Sequence, residues 1–224
     1  YKRQILICAN DVYRCNLDSQ DTGVIQAYHA GPDIAVRENY VHDSDIPFSF
    51  GTGIYLDDCC TRFTVERNVL ARLQKGGAGS LGNLMTLKGD SHVVRKNVCR
   101  DCGVDKNGAL FCSLYLDSDS TSDLTLYQNY AENCGKNLYV FTNWSEGRVT
   151  FSDCIVCGEE AGVIGGYGDA ARVSLAEWGE RDRFDVFTRT LPHGCAEEDA
   201  PDIEAQVIGN AGPTDEYGLS LIHI

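Results

Sequence analysis

One short pattern of apolar and polar positions recurs six times between residues 6 and 154. Apolar residues alternate with polar ones, a polar marker follows, and further apolar residues come after it. The markers are Asn10, Asn39, Asn68, Asn97, Asn129 and Cys154. Three residues before them stand Ile7, Val36, Val65, Val94, Leu126 and Phe151. The first four markers are 29 residues apart, and the last two steps are 32 and 25 residues. A period of two within a repeat of this length is typical of a solenoid built from strands.

A second set of apolar positions repeats alongside the markers. Its members are Val24, Ile54, Leu84, Leu110, Leu138 and Val163. We therefore expect at least two strands in each coil, with the corresponding strands of successive coils parallel and about 4.8 Å apart. A marker Asn lies where the chain turns between strands, and its amide can bond to the backbone and to the Asn of the next coil. The sequence thus predicts a ladder of stacked asparagine side chains.

The repeats predict an all-β fold, a single-stranded parallel β-helix of about six coils over residues 1–167. Residues 168–224 are expected to form an irregular segment that continues or caps the solenoid. The chain begins directly on a strand of the repeat without the layout of a signal peptide, so we expect a solenoid truncated at both ends. The last residues, 218–224, resemble a translated adapter sequence, and we assign them no function.

Composition narrows the range of partners. The 224 residues carry a net charge of −14, which disfavours nucleic acids and anionic membranes because these are themselves negative. A neutral glycan, or an anionic one held through a bridging cation, fits this charge. The longest apolar runs fall short of the roughly 20 residues that a membrane span needs.

The cysteines follow the repeat rather than a metal-binding pattern. Cys15, Cys102 and Cys134 each stand five residues after a marker, so we expect them to stack as small buried residues. The pairs Cys99/Cys102 and Cys154/Cys157 lie two coils apart, roughly 10 Å by strand spacing, which is too far for one tetrahedral zinc ion. We therefore predict no metal site.

Carboxylates are concentrated near the second set of apolar positions, at Asp21 and at the adjacent Asp57 and Asp58. If the members of that second set lie level with one another, Asp58 lies level with Tyr28 and Lys88, whereas Asp57 lies between apolar neighbours. We expect the acid beside the lysine to stay charged and the other to carry a proton, as in the two carboxyls of a glycosidase. The alternative is an ordinary turn, because Asp at a strand end bonds to its own backbone.

Other polar and aromatic residues are candidates for substrate binding. Tyr28, His29, Tyr55 and Lys88 converge on the twin aspartates by register. The segment His42-Asp43-Ser44-Asp45 could position a substrate hydroxyl or ligate a cation, and its alternative is a solvated loop. An outward stripe is also predicted, and it comprises Ile25, Tyr55, Met85, Phe111 and Tyr139. This stripe could stack on sugar rings or be covered by a loop or a neighbouring chain.

Several stretches resemble those of a known family. They read Asp21-Thr22-Gly23, Asn39-Tyr40-Val41-His42-Asp43, Gly53-Ile54-Tyr55-Leu56-Asp57-Asp58, Val65-Glu66-Arg67-Asn68-Val69 and Ser174-Leu175-Ala176-Glu177-Trp178. The chain resembles the right-handed parallel β-helix, pectate-lyase-like carbohydrate-active proteins, in particular the β-helical glycoside hydrolases with α-L-fucosidase and xylanase activities. The resemblance implies a right-handed β-helix and two catalytic acids from consecutive coils, carried over to Asp21 and to Asp57 or Asp58.

The register leaves one question about the acids. Asp21 aligns with Gly51, six residues before Asp57, and six extended residues span roughly 20 Å. Glycosidase carboxyls lie about 5 to 10 Å apart. Either the strand bends near Asp21, or the partner acid comes from the loop of residues 42–45.

Three functions are compatible with these features. The first is hydrolysis of a secreted or periplasmic polysaccharide by paired carboxylates, without a cofactor. The second is a polysaccharide lyase, which would use Lys88, His92 or Arg95 as base and commonly calcium to neutralise a uronate. The third is a glycan-binding solenoid without catalysis. Loss of hydrolysis, an unsaturated product, or binding without turnover would distinguish them.

Overall fold

The structure, a computed structural model, describes most of the repeats and three short segments beyond them. The described residues are 5–17, 19, 21–44, 51–73, 83–102, 112–115, 123–134, 137–142, 149–157, 163–166, 173–174, 189–191 and 199–210. The chain winds as a parallel β-solenoid in which each full turn adds one strand to each of three sheets. About three turns, between residues 5 and 91, are described with most of their side chains, whereas the sequence analysis expected about six coils.

Sheet A contains the strands that precede the markers. In spatial order they are β1 (Ile5–Cys8), β4 (Ile34–Arg37), β7 (Phe63–Glu66), β10 (Val93–Arg95), β13 (Leu124–Tyr127) and β16 (Val149–Ser152). All neighbours in it pair in parallel, and the residues three positions before the markers lie level with one another, from Ile7 to Phe151. The predicted alignment of the residues three positions before the markers is confirmed.

Sheets B and C complete the turns. Sheet B contains β2 (Asp11–Tyr13), β5 (Tyr40–His42), β8 (Val69–Ala71), β11 (Val98–Arg100), β14 (Tyr130–Glu132), β17 (Ile155–Cys157) and β20 (Arg189–Leu191). Sheet C contains β3 (Thr22–Ala27), β6 (Gly51–Leu56), β9 (Asn83–Leu87), β12 (Cys112–Tyr115), β15 (Asn137–Thr142), β18 (Val163–Gly166) and β19 (Val173–Ser174). Their strands pair in parallel except β18 with β19, which are antiparallel.

The asparagine ladder runs through the corner between sheets A and B. The Asn39 Nδ2 donates to Asn68 Oδ1 at 2.9 Å, and the Asn68 Nδ2 donates to Asn97 Oδ1 at 3.0 Å. Each Nδ2 also donates to a backbone carbonyl of the preceding turn, as Asn68 does to Val36 O at 2.9 Å. At the sixth position the Asn129 Nδ2 lies 3.7 Å from Cys154 Sγ. These bonds confirm the predicted ladder.

The same corner uses one residue in a left-handed conformation. The residue before each marker has φ between 53° and 56°, and these residues are Ala9, Glu38, Arg67, Lys96, Gln128 and Asp153. This conformation costs non-glycine residues about 1–2 kcal/mol. The ladder offsets that cost because it satisfies the polar groups that the sharp turn leaves inside.

The cysteines five residues after a marker have a structural role. The thiols of Cys15, Cys102 and Cys134 each donate to the carbonyl oxygen two residues earlier, at 3.4, 3.2 and 3.2 Å. Ser44 occupies the same place in the second turn, and its hydroxyl donates to His42 O at 3.3 Å. The free thiols of Cys102 and Cys134 also form a hydrogen bond with each other, which confirms their stacking in neighbouring coils.

The register of sheet C differs from the predicted one. Ile54 lies level with Ile25 and with Met85, whereas the sequence analysis aligned it with Val24 and Leu84. That alignment is wrong by one residue, because consecutive apolar residues in these strands allow either choice. A slip of one residue exchanges the two faces of a strand.

Because the observed register differs by one residue, the predicted outward stripe is absent from the described strands. Met85 lies in the buried core, Ile25 packs against that core, and Tyr55 is buried as well. Phe111 and the side chain of Tyr139 lie outside the described residues. The stripe is therefore not an exposed sugar-binding surface at Ile25, Tyr55 and Met85.

A helix that the sequence analysis did not predict covers part of sheet B. Helix α1 (Asp199–Asn210) places Ile203 and Val207 in a second apolar cluster, which also includes Val69, Val98, Tyr130, Ile155 and Cys157. The Arg67 guanidinium donates to Gln206 Oε1 at 2.6 Å, and Arg100 pairs with Glu204. Within the described part of the chain, no helix is long and apolar enough to cross a membrane.

Candidate functional site

The twin aspartates and Lys88 meet at the turn that follows sheet C. Strands β6 and β9 end at Leu56 and Leu87, which pair, so Asp57 rather than Asp58 lies level with Lys88. The Lys88 Nζ lies 2.6 Å from Asp57 Oδ1 and 3.4 Å from Asp58 Oδ1. One ammonium group therefore joins both carboxylates.

The two carboxylates have unlike surroundings. The Asp57 side chain is 16% exposed, and its Oδ1 also accepts the backbone N–H of Asp58 at 2.8 Å. The Asp58 side chain is 62% exposed. The observed register therefore reverses the predicted positions of the two acids. Asp57 is the acid fixed beside the lysine, and Asp58 is the acid that faces solvent.

Asp21 joins this cluster through Tyr55. The buried Tyr55 hydroxyl donates to Asp21 Oδ1 at 3.2 Å, and the Lys88 Nζ lies 5.3 Å from the centroid of the Tyr55 ring. Asp21 has a φ of 49°, so the chain turns there. The turn at Asp21 and the length of the tyrosine side chain connect Asp21 with Tyr55, which stands two residues before Asp57.

Electrostatics tie the lysine and the tyrosine together. Burial raises the pKa of Tyr55, and the nearby Lys88 only partly counteracts this effect. Burial of Lys88 disfavours its charge, but hydrogen bonds to Asp57 and Tyr55 outweigh burial and raise the pKa of Lys88 above its usual range. Lys88 is therefore a cation at neutral pH and a poor base.

Tyr28 and His29 lie beside the same turn, as predicted. The Asp57 N–H donates to Ala27 O at 2.9 Å, and the His29 N–H donates to Asp58 O at 3.0 Å. These bonds place Tyr28 and His29 in the coil next to the twin aspartates. Both side chains are exposed. These contacts agree with the predicted convergence of Tyr28, His29, Tyr55 and Lys88 on the twin aspartates.

His92 supports Lys88 from the interior, a role that the sequence analysis missed. It is fully buried, its Nδ1 accepts the Phe63 N–H at 3.1 Å, and its Nε2–H donates to Lys88 O at 2.9 Å. Burial lowers the pKa of His92. His92 stands five residues before the marker Asn97, where other repeats carry Ile34 or Phe63, and this polar residue at an apolar position was the available signal. With both nitrogens occupied, His92 cannot act as the base of a lyase.

Arg95 belongs to another surface. It lies on sheet A, where its Nε donates to Glu66 Oε2 at 2.6 Å and its guanidinium donates to the Tyr127 hydroxyl at 2.6 Å. These hydrogen bonds raise the pKa of Arg95. It is therefore held as a cation on a different sheet from Lys88, which argues against it as a base for this site.

His42 and Asp43 form a separate cluster on sheet B. The His42 Nε2 lies 2.7 Å from Asp11 Oδ1, and its Nδ1 lies 2.5 Å from Asp43 Oδ2. The His42 ring stacks on Tyr40 with centroids 4.0 Å apart. Arg72 donates to both Asp43 oxygens, at 2.8 and 2.7 Å. These contacts occupy the side chains of His42 and Asp43, which were predicted to bind substrate. Asp45 lies outside the described residues.

The Asp43 carboxyl gives a testable electrostatic prediction. The hydrogen bond from Arg72 lowers the pKa of Asp43 from 3.8 to about 2, with burial opposing and His42 assisting. Because the folded-state pKa is lowered, this pair stabilises the fold above pH 3.8 and loses that contribution as the pH falls toward 2. We expect Arg72→Met to raise the Asp43 pKa toward 3.8, measured by carboxyl NMR titration.

The matched control is Arg62→Met, which breaks the exposed pair of Arg62 with Asp33, 3.1 Å apart, in another turn. This control should leave the Asp43 titration unchanged. An unchanged Asp43 pKa in Arg72→Met would contradict the assignment.

Comparisons with known proteins do not add an assignment. No protein-family model matches the chain, and no curated protein matches it. Among the residues that the structure describes, no group of three or more His, Cys, Asp or Glu side chains is arranged to hold a metal ion. The argument for function therefore depends on the geometry of the turn after sheet C.

Proposed function

We propose that this chain is a glycoside hydrolase module built on a right-handed parallel β-helix related to the pectate-lyase-like carbohydrate-active proteins. The observation that carries the proposal is the bridging of two unlike carboxylates by Lys88, at 2.6 Å from Asp57 and 3.4 Å from Asp58. Enzymes that cleave glycosidic bonds use two carboxyl groups with different environments for different tasks. The substrate would be a secreted or periplasmic polysaccharide or oligosaccharide.

In this mechanism the two acids have separate roles. Asp58 faces solvent and gives a proton to the leaving glycosidic oxygen. Asp57 is held by Lys88 and by the N–H of Asp58, and in this proposal it is the carboxylate placed next to the anomeric carbon. Since both Oδ1 atoms contact one nitrogen, they lie at most about 6 Å apart, which favours the geometry of retaining enzymes.

The remaining residues hold this arrangement. Lys88 keeps its charge, because its hydrogen bonds raise its pKa, and it limits the movement of both acids. Tyr55 connects Asp21 with the turn, and His92 fixes the backbone of Lys88. A lyase is less well supported, because the raised pKa of Lys88 makes it a poor base and because His92 and Arg95 are engaged elsewhere.

The test is hydrolysis by the Asp57→Asn and Asp58→Asn variants. We expect each to lower the release of reducing ends from a sensitive polysaccharide by about 10²–10⁴-fold, the range for loss of a catalytic acid or base. Asp33→Asn is the matched control, because Asp33 is an exposed acid paired with Arg62. Thermal unfolding would verify that all three variants fold.

Unchanged hydrolysis in both site variants would refute the proposal. Product absorbance in the ultraviolet, from an unsaturated sugar, would instead assign a lyase.

A further inference from the structure

An exposed aromatic pair lies beside the twin aspartates. Tyr28 is 62% exposed, and its ring centroid lies 4.5 Å from that of His29 at an interplanar angle of 44°. The His29 N–H donates to Asp58 O at 3.0 Å, so this pair and the acids occupy adjacent coils, about 4.8 Å apart. A molecule bound over the twin aspartates would therefore lie next to this pair.

The exposure of Tyr28 is informative because a large aromatic side chain gains little for folding when most of it faces water. A tyrosine ring has an apolar face and a polar hydroxyl, which suits it to a ligand that is apolar on one side and hydroxylated at its edge. The ring of a sugar has this character.

The charges of the same turn select the kind of sugar. Asp57 and Asp58 lie in this turn, Asp21 is connected with it through Tyr55, and Lys88 already contacts both Asp57 and Asp58. A uronate would bring another carboxylate into this region without a cation from Lys88 to receive it. Like charges at short distance repel, and more strongly near a protein surface than in bulk water.

We infer that the turn after sheet C binds a neutral glycan, with one sugar ring stacked on Tyr28 beside Asp58. This inference rests on the proposed function for the position of the glycosidic bond and adds the substrate class. It also assigns Tyr28 as a binding residue whose loss lowers affinity without affecting the fold.

The experiment measures equilibrium binding, separately from hydrolysis, on immobilised oligosaccharides. The probes are neutral xylo-, gluco-, manno-, galacto- and fuco-oligosaccharides and, at matched length, oligogalacturonates and oligoglucuronates. The proteins are the parent chain and the variants Tyr28→Ala, Tyr28→Phe and Ile208→Ala. Ile208 is the control, because it is also an exposed apolar residue and lies on helix α1.

We expect binding to at least one neutral probe and not to uronates. Tyr28→Ala should weaken it about tenfold or more, whereas Tyr28→Phe and Ile208→Ala keep it. All variants should unfold at the temperature of the parent chain.

Preference for a uronate, equal binding by Tyr28→Ala, or absence of binding to every probe would each overturn the inference. The hydrolase proposal fails separately: if neutral glycans bind through Tyr28 but Asp57→Asn and Asp58→Asn do not alter turnover, glycan recognition remains and the catalytic assignment is rejected.

Discussion

The Asn68→Ala variant is expected to lose about 3–5 kcal/mol of its free energy of unfolding, because several buried hydrogen-bonding groups lose their partner at once. The Asn68 side chain is fully buried. Its Oδ1 accepts the Asn39 N–H at 3.1 Å and the Asn39 Nδ2 at 2.9 Å, and its own Nδ2 donates to Asn97 and Val36. Alanine removes these four hydrogen bonds inside the solenoid, where a polar group left without its partner costs about 1–3 kcal/mol.

Chemical denaturation of the purified chain measures this loss. The control is Asn10→Ala, because Asn10 lies at the first described rung and is only partly buried. Its Nδ2 donates to Asn39 Oδ1 at 2.8 Å and to Cys8 O at 3.1 Å. This control should cost about 1 kcal/mol. Equal losses of unfolding free energy in the two variants would contradict the larger contribution expected of a fully buried asparagine.

The Gly89→Ala variant is expected to lose about 3 kcal/mol or more, since an alanine there is strained and also collides with backbone. Gly89 has a φ of 95°, and a Cβ atom on it would lie 1.8 Å from the carbonyl oxygen of Cys60. The turn must shift to admit a methyl group. Because Gly89 follows Lys88 directly, that shift also moves the lysine relative to Asp57, so we expect hydrolysis to fall together with stability.

Gly209 provides the matched control. It lies in helix α1, and a Cβ atom on it would meet no atom within 4 Å. Gly209→Ala should therefore be neutral or stabilise the protein by up to about 1 kcal/mol, as expected for a helix position. A stable Gly89→Ala with unchanged denaturation midpoint would contradict the close packing of this turn.

The markers allowed the sequence to predict the solenoid, because a single polar residue type recurs at a fixed spacing among alternating apolar residues. Asn39, Asn68 and Asn97 need a partner exactly one turn away, so their spacing encodes which strands are neighbours. The convergence of Tyr28 and Lys88 on the twin aspartates followed from the same argument, whereas the contact of Asp21 with Tyr55 did not. The predicted neighbours were near enough for the candidate site to be recognised.

Other features lacked such a signal. In sheet C the apolar residues Ile54, Tyr55 and Leu56 are consecutive, so hydrophobicity alone does not fix the register, and the alignment was wrong by one residue. The role of His92 depends on the direction of its two ring nitrogens, which only coordinates give. Helix α1 depends on contacts between residues more than a hundred positions apart, such as Arg67 and Gln206.

The ladder also limits how this protein can change in length. Asn39 and Asn68 bond across a separation of 29 residues, and the left-handed residue before each marker must keep its place. If one whole turn is duplicated or deleted, every marker asparagine still meets a marker in each neighbouring turn. A small insertion next to a marker would instead displace that asparagine from its partners in both neighbouring turns. Evolution by whole units thus preserves the frame, and each copied turn after sheet C provides new positions at which binding residues can diverge.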